Sequence, residues 1–183
     1  MTIHVMVDLE TMGNKPNAAI TAIGAVAYST IKNKQIGEFY KLVCLEDSVE
    51  EGLSMDADTV LWWLSQGEAA RAMYGEEKQK HKVKLKDALD ELQHWYFCFE
   101  AYSEKVLTWG NGVGFDNTIL RNAYDKTKMP CPFPFYNDRC YRTLKSLHPS
   151  IELKRVGVLH NALDDAKSQM SHMLEIFNRG EVE

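Results

Sequence analysis

The segment from Ile3 to Leu9 alternates and is rich in Val and Ile, which predicts a β-strand. Ala18–Ser29 and Ile36–Cys44 carry the same signal. The polar run Lys32-Asn33-Lys34 lies between them, so the three strands form an antiparallel meander. Helical periodicity follows. Ser54 or Asp56 can cap a helix that carries Val60, Leu61, Trp62, Trp63 and Leu64. Leu85, Ala88, Leu89, Leu92, Trp95 and Phe99 line one side of a longer helix ending near Tyr102. Lys105–Trp109 is a short fourth strand, and the turn Gly110–Gly114 leads into a helix from Phe115 to Lys126. A Pro-rich loop from Met129 to Pro134 precedes a short helix over Tyr141–Leu147. The last helix, Asn161–Asn178, has Ala162, Ala166, Met170, Met173, Leu174 and Phe177 on its buried stripe. A meander followed by alternating helices and strands is an α/β domain with a mixed sheet.

At 183 residues, 45% of them hydrophobic and 26% charged, this pattern fits one globular domain spanning 1–183. No run approaches the roughly 18 apolar residues of a membrane span, and Asp8 interrupts the apolar start where a signal peptide would continue. The expectation is a cytoplasmic protein without membrane contact. Cys44, Cys98, Cys131 and Cys140 lie far apart with no C-x-x-C pair, which predicts reduced, individually packed thiols. Net charge is −5, which alone argues against a polyanionic partner. The distribution changes that picture. Six acids and no base lie between Glu46 and Asp58, whereas eight bases and three acids lie between Asn117 and Arg155. Either one face is basic or both stretches are ordinary solvated surface.

The candidate chemistry sits in three places. In Asp8-Leu9-Glu10 the two acids face one side of a strand while Leu9 packs on the other. Carboxylates so placed repel each other, and a hard divalent cation between them relieves the repulsion. In Asn111-Gly-Val-Gly-Phe115-Asp116, two glycines allow close backbone approach and Asp116 opens a helix. In His160-Asn-Ala-Leu-Asp164-Asp165, a histidine precedes the last helix. Asp165 is the preferred ligand there and Asp164, about 100° around the helix, the alternative.

Taken in order, D-x-E on the first strand, N-x-x-x-F-D at a mid-chain helix start and H-x-x-x-x-D on the last helix resemble the DEDDh 3′–5′ exonucleases of the ribonuclease-H-like fold. The resemblance covers essentially the whole chain. Asp8-Leu-Glu-Thr-Met-Gly13 and the pair Trp62-Trp63 look most like the small phage-type exonucleases, with the small bacterial exoribonucleases a related branch. It implies a single exonuclease domain releasing nucleoside 5′-monophosphates, with two divalent cations, Mg²⁺ or Mn²⁺, as cofactors. Asp8 would touch both ions, Glu10 and Asp165 would hold the one on the nucleophile side, and Asp116 the other. His160 would be the general base. Two such ions would bring the net charge from −5 to about −1, easing the objection to a nucleic-acid partner.

The same resemblance puts Thr11 and Met12 against the terminal nucleotide of a single strand or 3′ overhang. Asn111 and Phe115 flank the second acid and would touch sugar or base. One of Trp62 and Trp63 is core and the other would stack on a base; Trp62 is taken as the candidate, while which of the two faces the substrate stays open. Arg139 and Arg142, read as one turn apart, would grip phosphates. Phage-type relatives tend to carry an Asp where Cys140 stands, which leaves the role of Asp138-Arg139-Cys140 open. Dimers are frequent in related enzymes, so a homodimer is allowed. The competing readings are a catalytically weak binding module of the same fold and another metal-dependent nuclease.

Overall fold

The structure, a computed structural model, describes residues 2–180. Five strands, β1 (Thr2–Thr11), β2 (Ile20–Ser29), β3 (Lys34–Leu42), β4 (Lys105–Gly110) and β5 (Asp138–Cys140), form one mixed sheet in the order β3-β2-β1-β4-β5. The first three are the antiparallel meander that the hydrophobic pattern predicts. β4 and β5 add to it in parallel with β1. The helices are α1 (Leu45–Glu50), α2 (Ala57–Ser65), α3 (Glu68–Arg71), α4 (Glu76–Gln79), α5 (Leu85–Glu100), α6 (Asp116–Thr127), α7 (Tyr141–Leu147) and α8 (Ala162–Gly180).

Alternation along β1 divides the core into two layers. Ile3, Val5, Val7 and Leu9 pack with Leu85, Leu89 and Leu92 of α5 and with Ile119 and Leu120 of α6. Met6 faces the opposite layer with Val26, Tyr141 of α7, and Ala166, Met170 and Met173 of α8. Each fully buried leucine contributes roughly 1.5–3 kcal/mol. With both faces covered, β1 is buried from Ile3 to its end. Its even positions therefore lie under α8.

Gly24 of β2 makes this layering close enough for chemistry. It is paired with Asp8, and a Cβ there would lie 2.2 Å from the backbone of Ala162. Only glycine lets the first turn of α8 rest on the sheet beside Asp8. Asn161 caps that turn, its side-chain oxygen accepting the N–H groups of Leu163 at 3.1 Å and Asp164 at 3.2 Å.

Several local expectations are corrected. Asp56 occupies the N-cap position of α2 but makes no side-chain cap bond. Its carboxylate instead accepts the Asn14 N–H at 3.1 Å and lies 3.5 Å from Lys15. On α5 Tyr96, not Trp95, is fully buried, while Trp95 and Phe99 are half-buried at the β3 edge beside Gly37. The acid-rich stretch is not merely solvated. Asp47 accepts the Leu85 N–H at 2.7 Å at the start of α5, and Glu46 and Glu51 pair with Lys82 and Lys86. Segment 68–79, without a helical assignment from sequence, holds α3, α4 and a 3₁₀ turn. The four cysteines are free, as expected. Among the described residues no helix is long and apolar enough to cross a membrane.

Candidate active site

Asp8 and Glu10 end β1 on the α8 side, and Asp165 enters from the first turn of α8. The three offer carboxylate oxygens that all lie within 4.8 Å of one another. Asp116 completes the group from the start of α6. It is 2% exposed, and its Oδ1 accepts the Leu9 N–H at 3.2 Å.

Crowding and burial set the electrostatics. Burial, with Asp116 and Glu10 alongside, pushes the Asp8 carboxyl well above the usual carboxylate range. Burial, reinforced by Asp165 and Asp116, pushes Glu10 up to about 8. Burial also lifts Asp116 to about 7, against hydrogen bonds from backbone N–H groups, Leu9's among them. Asp165 is raised by burial and held back chiefly by Arg155.

Glu10 Oε1 and Asp116 Oδ2 are buried with no hydrogen-bond partner among the described residues. Orphaned carboxyl oxygens crowded beside further carboxyl groups fit hard divalent cations, which would favour their ionised form. A cation already stands at one of these groups, for the Arg155 guanidinium lies 2.7 Å from Asp165 Oδ1.

His160 sits at the rim in the left-handed region, with φ 63°. Its N–H donates to Asp165 Oδ2 at 3.1 Å. Its imidazole packs edge-on to Trp62, with centroids 4.9 Å apart, and lies 5.9 Å from Trp63. Burial lowers its pKa below the ordinary histidine value, with Asp165 pulling the other way. The two tryptophans separate as adjacent helical residues must. Trp63 is 3% exposed and donates Nε1–H to the Thr11 carbonyl at 2.9 Å, whereas Trp62 is 43% exposed.

The other expected contacts divide. Met12 borders an apolar cleft of about 360 Å³ with Val60, Trp63, Leu64 and Tyr74. The buried Thr11 hydroxyl donates to the Gly13 carbonyl at 2.7 Å within its own turn. Phe115 is the N-cap residue of α6, half-buried against the core. The Asn111 carbonyl accepts from Arg142 at 2.8 Å. Arg139 is not brought to the acids. It lies on β5, opposite Trp109, and its guanidinium donates to the carbonyls of Tyr136 and Asp138. Arg139 and Arg142 therefore do not share a helical turn, since only Arg142 belongs to α7. Asp138, whose role the sequence leaves open, fastens β5 to α6 by accepting from Arg121 at 2.8 Å and Asn117 at 3.0 Å.

Two residues here, Gln169 and Arg155, escaped the sequence reading of the site. Gln169 donates to Asp8 Oδ1 at 2.7 Å. Its spacing of four from Asp165 puts the two on one helical face, which was the available signal. Arg155 gave no signal of its partner. Asp164, the alternative ligand, has another engagement: its Oδ2 accepts the Val158 N–H at 2.8 Å. A Cβ at Gly157, where φ is +69°, would fall 2.2 Å from the same carboxylate. Asp164 thus fastens the loop that carries His160.

The fold is similar to that of solved nucleases. The nuclease domain of 3′hExo, a DEDDh family member bound to rAMP, is 15% identical, with a TM-score of 0.68 over 97% of this chain and 92% of that one. Cell-death related nuclease 4 (CRN-4) gives 12% and 0.64, covering 97% of this chain and 64% of that one. E. coli exonuclease I in complex with a dA16 oligonucleotide gives 12% and 0.59, covering 98% and 43%. At such identities the likeness is one of fold. No curated protein matches the chain by sequence. The profile of the 3′–5′ exoribonuclease Rv2179c-like domain matches residues 3–177. That match spans nearly the whole chain, acids included, so the chain belongs to the family of Rv2179c-like 3′–5′ exoribonuclease domains.

Proposed function

We propose that the protein removes nucleotides one at a time from the 3′ end of single-stranded nucleic acid, RNA foremost, releasing nucleoside 5′-monophosphates. The observation that carries this reading is the cluster of Asp8, Glu10 and Asp165, with Asp116 close enough to raise the pKa values of Asp8 and Glu10 further, the His160 N–H bonded to Asp165, and orphaned oxygens on Glu10 and Asp116. The family description, an exoribonuclease domain, supports RNA. The oligonucleotide bound to E. coli exonuclease I supports a single strand.

Besides burial, Asp116, Glu10 and Asp165 all press on the Asp8 carboxyl and raise its pKa, which supports its contact with two cations, Mg²⁺ or Mn²⁺. Glu10 and Asp165 would hold one with it and Asp116 the other. Bound there, two divalent cations supply positive charge at the attacking and leaving oxygens of an in-line displacement. The chain does the rest. Gln169 and the Leu9 N–H fix the orientations of Asp8 and Asp116. His160, its pKa lowered by burial, is neutral near pH 7 and takes the proton of the attacking water. The Met12–Trp63–Leu64 cleft receives the terminal base, and the exposed ring of Trp62 offers a stacking face. The same reading takes the chain as one exonuclease domain acting in the cytoplasm.

Chromatography of products from matched RNA and DNA oligonucleotides tests it. Nucleoside 5′-monophosphates from the first time point, faster from RNA, are expected. Nucleoside 3′-phosphates or internal fragments would overturn it.

A further inference from the structure

A second cleft, of about 710 Å³, opens beside Asp116. Asn111, Arg142, Lys145, Ser146, Ile151 and Glu152 are among its lining residues. Its position follows from the sheet order. Trp62, Trp63 and the apolar cleft lie with His160, whose neighbour Asn161 contacts Tyr40 of β3 on the β2–β3 side of the acids. Arg142 follows β5, beyond β4, on the opposite side. The acids therefore separate an apolar cleft from a basic one.

The basic cleft is built rather than incidental. One wall is α7 and the other is the start of the loop that leads to Arg155 and His160. Buried His172 of α8 braces both, bonding the Tyr141 hydroxyl at 2.7 Å and the Ile151 carbonyl at 2.8 Å. Arg142 and Lys145 are three residues apart on α7, hence on one face. Both are exposed, and among the described residues neither forms an ion pair with a carboxylate. Arg142 is near enough to Asp116 to lower its pKa, and Lys145 stands about one turn further along α7. No lining residue is aromatic.

We propose that this cleft is the path of the strand upstream of the bond that is cut, with Arg142 and Lys145 holding successive backbone phosphates. It rests on the exonuclease reading above, which needs a 3′ end on one side of the acids and an exit for the chain on the other. A cleft with two cations and no ring reads phosphate and sugar, not base. Affinity therefore rises with strand length and falls with salt, with little sequence preference. Glu152, the one acid among the lining residues, weakens that grip.

The test compares KM for a 5′-labelled octaribonucleotide and for a dinucleotide, which has no phosphate upstream of its single bond. Wild type, Lys145→Gln and Glu152→Gln are measured between 50 and 200 mM salt. Lys145→Gln is expected to raise the octamer KM by about three- to tenfold. That rise should be at least threefold larger than on the dinucleotide. It should also flatten the salt slope by about 0.7, the value of one phosphate contact on a single strand. Glu152→Gln should lower the octamer KM. Equal effects on both substrates, or an unchanged octamer KM and slope, would overturn the proposal. If wild type cleaves neither substrate, anisotropy titration of the same octamer decides: weaker binding by Lys145→Gln keeps the cleft and removes the exonuclease reading, and equal binding removes both.

Discussion

Glu10 offers a test of the site that needs no substrate. In the metal-free protein its carboxyl is displaced from the ordinary 4.5 to about 8, first by burial and then by Asp165 and Asp116. At about 1.4 kcal/mol per pH unit, ionised Glu10 costs the fold at most about 5 kcal/mol. The sign is fixed by the direction of displacement. Below pH 4.5 Glu10 is protonated in both states and carries no penalty. The penalty grows as pH rises towards about 8 and then levels off. Glu10→Gln holds the group neutral at every pH, but a buried amide with an unmet partner returns about 1–3 kcal/mol. The net gain at pH 8 is about 2 kcal/mol, or roughly 4–8 °C in Tm for a chain of this size. Thermal unfolding in EDTA at pH 5 and pH 8 measures it. The variant should unfold at a higher temperature than wild type at pH 8, with the gap closing at pH 5. Added Mg²⁺ should raise the wild-type Tm and leave the variant nearly unmoved. A variant no more stable than wild type at pH 8 in EDTA, or a gap independent of pH, would refute the reasoning.

Other consequences are as direct. Asp8→Ala and Asp165→Ala should abolish hydrolysis while circular dichroism stays native. His160→Ala should slow turnover by about 10²–10⁴-fold with substrate affinity retained, as single-turnover kinetics would show. Arg155→Ala removes the cation already at Asp165, so calorimetry should find Mn²⁺ binding several-fold tighter; weaker binding would mean that Arg155 helps the metal site. Gly24→Val forces the first turn of α8 away from Asp8, and both Tm and Mn²⁺ affinity should fall together.

The sheet and the acids were legible for a local reason. Period-two alternation marks β1, and the same alternation puts Asp8 and Glu10 on one face. The final helix and its Asp165 follow from a periodic stripe. What local pattern could not show depends on distant partners. Gly24 looks like any strand glycine until α8 crosses it, and β5 has three residues and no alternation. Asp164 and Asp165 are equivalent on the chain. The loop before His160 divides their work, giving Asp164 the Val158 N–H and Asp165 the Arg155 guanidinium. Arg139 and Arg142 look like one helical pair, yet the strand break after Cys140 sends them to different places.

The central claim is stepwise, metal-dependent removal of nucleotides from a 3′ end. A gel time course on 5′-labelled single-stranded RNA and DNA, with Mg²⁺, Mn²⁺ or EDTA and beside Asp8→Ala, tests it most directly. The account predicts a ladder that shortens one nucleotide at a time, only with metal and only with Asp8 intact. Internal fragments, or shortening that persists in EDTA or in Asp8→Ala, would contradict it.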